Sequence, residues 1–216
     1  MSQLDFSKLC ADSLRNFTKE NYNIKLKAAH AHELVAAYFG YNSRNAMISD
    51  KRFPIGKLCE AEVIVMISDK EIDARRSELK DLSAEIPDSY TLGEAVYTPL
   101  FKDLSLYKSE FPLFRSFERF AKYFVENSQR WKDTIKKLGD FQYEHIVSAL
   151  EHDDRVVIKV VHTSKVSEVE YIENGETILT LPRIAGKIGF GPLQVKIISK
   201  AGGERRVFKK PGGQDV

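Results

Sequence analysis

The feature that most constrains this chain is a change of hydrophobic period near residue 140. Before it, apolar residues recur every three or four positions, which gathers them on one face of a helix. Beyond it they alternate, which gathers them on one face of a strand. The pattern predicts an α+β protein: a mainly helical domain over residues 1–139, with one short strand or hairpin near 61–67. A small antiparallel β domain, a sheet or partly open barrel, is expected over residues 140–216. A chain of 216 residues can hold one sizeable domain or two small ones.

In the helical part, Phe6, Leu9, Cys10, Leu14 and Phe17 form a first stripe, with Asp5 placed to cap it. Asn21 to Asn23 break that helix. Ile24, Ala28, Ala31, Leu34, Val35, Tyr38 and Phe39 make the clearest helical stripe of the chain. Gly40 stands where helices end in a left-handed residue, and Ser43 offers an N-cap for a further turn or two. The β-branched run from Ala61 to Ile67 reads as a short buried strand. Ser68 with Glu71 forms a capping box that opens a helix through Ile72, Leu79 and Leu82. Arg75 and Arg76 read there as a solvated charged face. Residues 83–111 read as a packed connection with brief helices, one capped by Thr91 with Glu94. A long aromatic-seamed helix is expected from Pro112 to Leu138, stopped by Gly139. Its seam is Phe117, Ala121, Phe124, Trp131, Ile135 and Leu138, with Ser128 in the missing step.

The alternating half offers strands at Arg155 to Val161, Val169 to Ile172, Thr177 to Leu181, Leu193 to Ile197 and Arg205 to Lys209. Asn174-Gly175 predicts a tight hairpin turn, because the pair supplies the positive φ such a turn needs. Gly186, Gly189 and Gly191 lack the spacing and the trailing Lys-Ser/Thr of a phosphate loop, and they fit a β-turn or bulge.

No stretch approaches the twenty apolar residues that span a bilayer, and the start, MSQLDFSKL, shows no basic-then-apolar leader. Cys10 and Cys59 lie in no metal spacing and read as reduced packing residues, so a cytoplasmic protein is expected. His30 and His32 diverge on a helix, which excludes one ion held by both, while His30 and Glu33 share a polar face and are expected to pair. His145, His152 and His162 are seven and ten residues apart. No catalytic residue, metal ligand or cofactor motif stands out, although a Mg²⁺ nuclease built on scattered carboxylates stays open.

One charge asymmetry remains. From Pro182 onward eight cations face only Glu204 and Asp215, a balance of +6. Lys187, Lys196, Lys200, Arg205, Arg206, Phe208, Lys209 and Lys210 are the candidate nucleic-acid-binding residues, because cations with an interleaved aromatic can track phosphates and stack a base. The plainer alternative is that lysines guard sheet edges and the aromatics are core.

Two resemblances attach to the clearest helix. Val35-Ala36, Phe39-Gly40-Tyr41 and Ala46 resemble the first helix, turn and second helix of a helix-turn-helix. HELVAAYFGYNSRNAM followed by AEVIVMISDKEIDARRSEL resembles the small glyoxalase-related domain of bacterial and plasmid-borne proteins, over about the first 85 residues. That resemblance implies a bacterial, mobile-element or antiviral-defence setting; the paired metal-binding modules of true glyoxalases are not evident. The expected function is a non-enzymatic binding protein that contacts nucleic acid through its basic β domain, with its helical part assembling with a protein partner or as a homo-oligomer. An adaptor or subunit of a larger complex is the alternative, and a metal-dependent glyoxalase-like enzyme the third.

Overall fold

The computed structural model describes residues 6–102, 113–136, 143–165, 170–199 and 207–209. Helices fill the N-terminal part and an antiparallel sheet the C-terminal part, so the chain is α+β. It divides into two compact units. The first comprises Met1–Ser116 with Pro182–Pro192, the second Phe117–Leu181 with Leu193–Val216.

The first unit is built on α1 (Phe6–Tyr22), α2 (Ala28–Tyr38), α3 (Arg44–Ser49), α4 (Asp69–Glu78) and α5 (Ser89–Lys102). The stripe of α1 buries Phe6, Cys10, Ala11 and Leu14, and Asn23 at φ 56° turns the chain after it. α2 starts at Ala28, later than the stripe from Ile24 suggested, because that left-handed Asn23 leaves residues 24–27 outside any helix. Leu34, Val35, Tyr38 and Phe39 are then fully or almost fully buried. Ser43 Oγ accepts from the Ala46 N–H at 3.1 Å, the expected cap of α3. Ser68 and Glu71 close the expected capping box, Oγ to Oε1 at 2.8 Å and N to Oγ at 3.4 Å.

α5 corrects the expected brief helices. It runs fourteen residues, through Pro99, and Asp88 caps it rather than Thr91. The Thr91 N–H bonds Asp88 Oδ1 at 2.8 Å and holds that carboxyl below the usual carboxylate range. Pro99 has no N–H for the Ala95 carbonyl four residues back. The Ser13 hydroxyl of α1 donates to that carbonyl instead, at 2.7 Å. The substitution lets a proline sit inside a helix at a helix–helix contact.

A two-residue strand β1 (Val63–Ile64) pairs with β5 (Gly189–Phe190), which in turn pairs with the end of β4 (Glu170–Ala185). Val63, Ile64 and Phe190 are fully buried, so the apolar run is a buried strand and Phe190 is core. The turn between β4 and β5 docks on the end of α2. Lys187 N–H donates to Phe39 O at 3.1 Å, and Gly186 N–H to Phe53 O at 2.9 Å. Gly186 has φ +52°, and a Cβ there would lie 2.8 Å from Phe39 O; Gly40, at φ +83°, would drive a Cβ to 2.5 Å from Lys187 Cβ. Both glycines are demanded by this close approach. Residues 186–188 form a turn, one of the two roles expected of the glycine-rich stretch, and a register shift precedes it between Arg183 and Ala185.

The second unit carries α6 (Phe117–Asn127), α7 (Gln129–Lys136), β2 (Tyr143–Glu151), β3 (Arg155–Lys165), most of β4, β6 (Gln194–Ser199) and β7 (Val207–Lys209). The single long helix expected here is two. Ser128 is non-helical, and its Oγ accepts from the Trp131 N–H at 3.3 Å. The serine that interrupts the aromatic seam therefore caps a new helix.

Asn174-Gly175 is a further correction. Both residues lie inside β4, which passes through them without turning. β4 is held extended by two successive partners, β7 along Glu170–Ile172 and β6 along Gly175–Thr180. Turn chemistry is a local preference, and here remote strand pairing outweighs it. β2 pairs with β3 in unbroken antiparallel register from Tyr143↔Ser164 to Glu151↔Val156. The expected helix start at Pro112 is corrected to Phe117, because residues 113–116 are non-helical and Phe114 pairs with Val65. Asp5, Pro112 and Gly139 themselves and the turn expected at Ala201–Gly203 lie outside the described residues.

Candidate functional site

The candidate nucleic-acid residues divide between the two units. Lys187 is exposed at the β4–β5 turn of the first unit, and Lys196 is exposed on β6 of the second, opposite Ile178. Lys209 and Phe208 belong to β7, paired with Glu170 and Tyr171 of β4. Lys200, Arg205, Arg206 and Lys210 lie outside the described residues.

The histidines are rearranged more than the cations. The Glu33 carboxylate takes Arg75 of α4 at 3.0 Å and the Arg44 N–H at 3.2 Å. It is therefore committed to those two donors, where His30 was the expected partner. Arg75 and Arg76 side chains are only 23% and 15% exposed, so they do not form the solvated face expected of them. Arg76 instead binds Ser89 Oγ at 3.0 Å and the Pro87 carbonyl at 2.7 Å, tying α4 to the start of α5. His152 is exposed between β2 and β3.

His145 and His162, by contrast, are direct cross-strand partners. Their Nδ1 atoms lie 3.1 Å apart. His162 Nε2 is 2.7 Å from Thr177 Oγ1 on β4, and Trp131 Nε1 of α7 donates to the same oxygen at 3.0 Å. The indole packs on both imidazoles, with centroids 5.6 Å from His145 and 5.1 Å from His162. His162 and Thr177 are buried, while His145 is half-buried. Burial, then the neighbouring His145, pushes His162 down to about 4. Burial also lowers His145; on α6, Glu126 opposes that shift and Lys122 adds to it. Residues 17 positions apart show no spacing signal. Only the β2–β3 register joins them.

A hydroxyl, an imidazole and a second imidazole in sequence have the order of a nucleophile, a base and the group that orients it. Thr177 is fully buried in mid-sheet, however, and no substrate can reach its oxygen. The chain of contacts is a polar core, not a catalytic one. Among the described residues, no three His, Cys, Asp or Glu side chains gather as metal ligands.

A cleft of the first unit, about 460 Å³, runs between α5 and the segment that pairs with Val65, and is lined by Met66, Gly93, Tyr97, Leu113 and Arg115. Its polar groups are already committed. Tyr97 O–H donates to Tyr38 O and Thr98 O–H to Glu94 O. Arg115 lies flat on Tyr90, 3.7 Å from the ring centroid, with Glu94 at 3.8 Å balancing its charge. A binding pocket offers convergent polar groups, and this one offers none to spare.

No protein-family model, curated protein or solved structure matches the chain.

Proposed function

We propose that the chain is a non-enzymatic binding protein whose C-terminal β unit contacts nucleic acid. The observation that carries this reading is the alignment of two basic segments along one strand. β6, with exposed Lys196, and β7, with Lys209, both pair with β4, at Ile178 and Glu170 respectively. Eight residues of strand separate those points, about 27 Å at 3.4 Å per residue. The charge run from Pro182 to the end, +6 in all, brackets that stretch. Cations spaced along an extended edge suit a phosphate backbone, which sheds condensed counterions on contact.

The test is fluorescence anisotropy of the full chain with labelled single- and double-stranded oligonucleotides at several salt concentrations. Affinity should fall linearly with log salt, by about 0.7 to 0.9 in slope per phosphate contact. Replacing Arg205 and Arg206 together by alanine should flatten that slope by roughly two such steps. Absence of binding at low salt, or a slope indifferent to the double replacement, sinks the reading.

A specific observation favours a second reading, contact with a protein partner. The face of the β unit turned away from Trp131 carries Ile146, Leu150, Val157, Val161 and Ile178 around the Lys159–Glu176 ion pair and Lys196, and Leu150 is 61% exposed. Its aliphatic side chains, Leu150 above all, suit a protein surface better than a base-stacking platform. Sedimentation of the chain, with and without a Leu150→Lys change, separates self-association from nucleic-acid binding.

A further inference from the structure

The polar chain in the β unit has a direction. An indole N–H can only donate, so Thr177 Oγ1 is an acceptor towards Trp131. Its single hydroxyl hydrogen then serves His162 Nε2, 2.7 Å away. With Nε2 accepting, the neutral His162 ring carries its proton on Nδ1 and donates to His145 Nδ1 at 3.1 Å. His145 in turn carries its proton on Nε2. The opposite sense would leave the Thr177 hydrogen buried and unpaired, a cost every buried donor avoids.

We propose that this chain is an acid-sensitive latch, in which one proton taken up at His145 breaks the His145–His162 link and releases Trp131, with α7, from the sheet. The order of events follows from donors and acceptors. A protonated His145 has N–H on both nitrogens, so two donors face each other across 3.1 Å. His162 can yield by moving its own proton to Nε2. Thr177 Oγ1, with two lone pairs, then accepts from both His162 and Trp131, and its hydroxyl hydrogen is left buried without an acceptor. Facing donors at one end or an unpaired hydroxyl at the other, the network loses the bonding that holds α7 on the sheet through Trp131.

His145 is the entry point because it is half-buried while His162 is buried. The charged groups facing it are Glu126 and Lys122, both on α6; α7 contributes the neutral Trp131 and β4 the neutral Thr177. Glu126 favours proton uptake, and Lys122, paired with Glu118 at 2.9 Å, opposes it. The sign of the pH effect is set by both histidines lying below the ordinary 6.5. The unfolded chain binds those protons first, so stability is complete above about pH 6.5 and falls towards pH 4. The folded-to-unfolded ratio drops by up to about tenfold per pH unit for each histidine. The inference stands whether or not the unit binds nucleic acid.

Trp131 is the one tryptophan of the chain, which makes the full-length protein its own reporter. Nitrogen NMR of the imidazoles at pH 7.5 should show His162 protonated on Nδ1 and His145 on Nε2. Tryptophan emission should then be quenched and red-shifted in one transition between pH 6.5 and 4. His145→Gln keeps an oxygen to accept from His162 and cannot titrate. It should keep the neutral-pH spectrum and move the midpoint down by one pH unit or more. A His162 proton on Nε2, an emission spectrum constant to pH 4, or an unchanged midpoint in the glutamine variant would each overturn the latch. The tautomer measurement needs no variant, so a His145→Gln chain that fails to fold leaves the inference testable.

Discussion

Gly186 is where a single atom decides whether two segments of the first unit can meet. A methyl group there would stand 2.8 Å from the Phe39 carbonyl, a backbone atom held by the end of α2, and φ is +52°. Neither side can yield cheaply, so Gly186→Ala should cost about 2 kcal/mol or more, measured by urea unfolding. Gly40, at φ +83°, would bring a Cβ to 2.5 Å from Lys187 Cβ, an atom that its own backbone fixes, so alanine there should cost at least as much. A clearly smaller loss at Gly40 would show that the Lys187 backbone can shift to make room. The role of Gly40 was legible because a glycine after an apolar helical stripe has one common use. The latch was not, since nothing in the spacing of His145, His162, Thr177 and Trp131 hints that four elements bring them together.

At the scale of elements, what was legible was whatever the chain settles with its near neighbours. The Ser68 capping box and the Ser43 cap are exchanges between residues three apart, and both formed as expected. The errors came where distant partners decide. Asn174-Gly175 has the chemistry of a turn, but β6 and β7 hold it straight. Pro99 looks like a helix end, but a serine on another helix satisfies the carbonyl that it abandons. Ser128 stands as a gap in the aromatic seam and reads there as a tolerated polar residue; its oxygen instead starts α7. Ser128→Ala should therefore cost about 1 kcal/mol of stability by thermal or urea melts, and Ser128→Asp, which also caps, should restore most of it. A loss that aspartate does not recover would mean that the serine is needed for packing and not as a cap.

At the scale of the whole chain, the buried face of the second unit's sheet, with Val156, Ile158, Val160 and Leu179, lies on the side that Trp131 closes. A fragment beginning at residue 141 keeps the strands and loses α6 and α7. We expect it to aggregate or remain unfolded by circular dichroism, while one beginning at residue 117 folds and keeps the neutral-pH emission of Trp131. A folded, monomeric 141–216 fragment would show that the helices are dispensable. The first unit makes a different demand. It is assembled from two stretches of chain, and the second, Pro182–Pro192, supplies β5 and the turn that docks on Phe39. The chain from Phe117 to Leu181 separates the two stretches. At about 5 to 20 residues per second, a ribosome needs roughly 3 to 13 s to make the intervening residues. Through that interval the newly made helices have β1 but not its partner, an exposed strand waiting for the piece that completes it. Slow synthesis of the middle of the chain is then the condition under which this protein is most open to capture by a chaperone or by a second nascent copy.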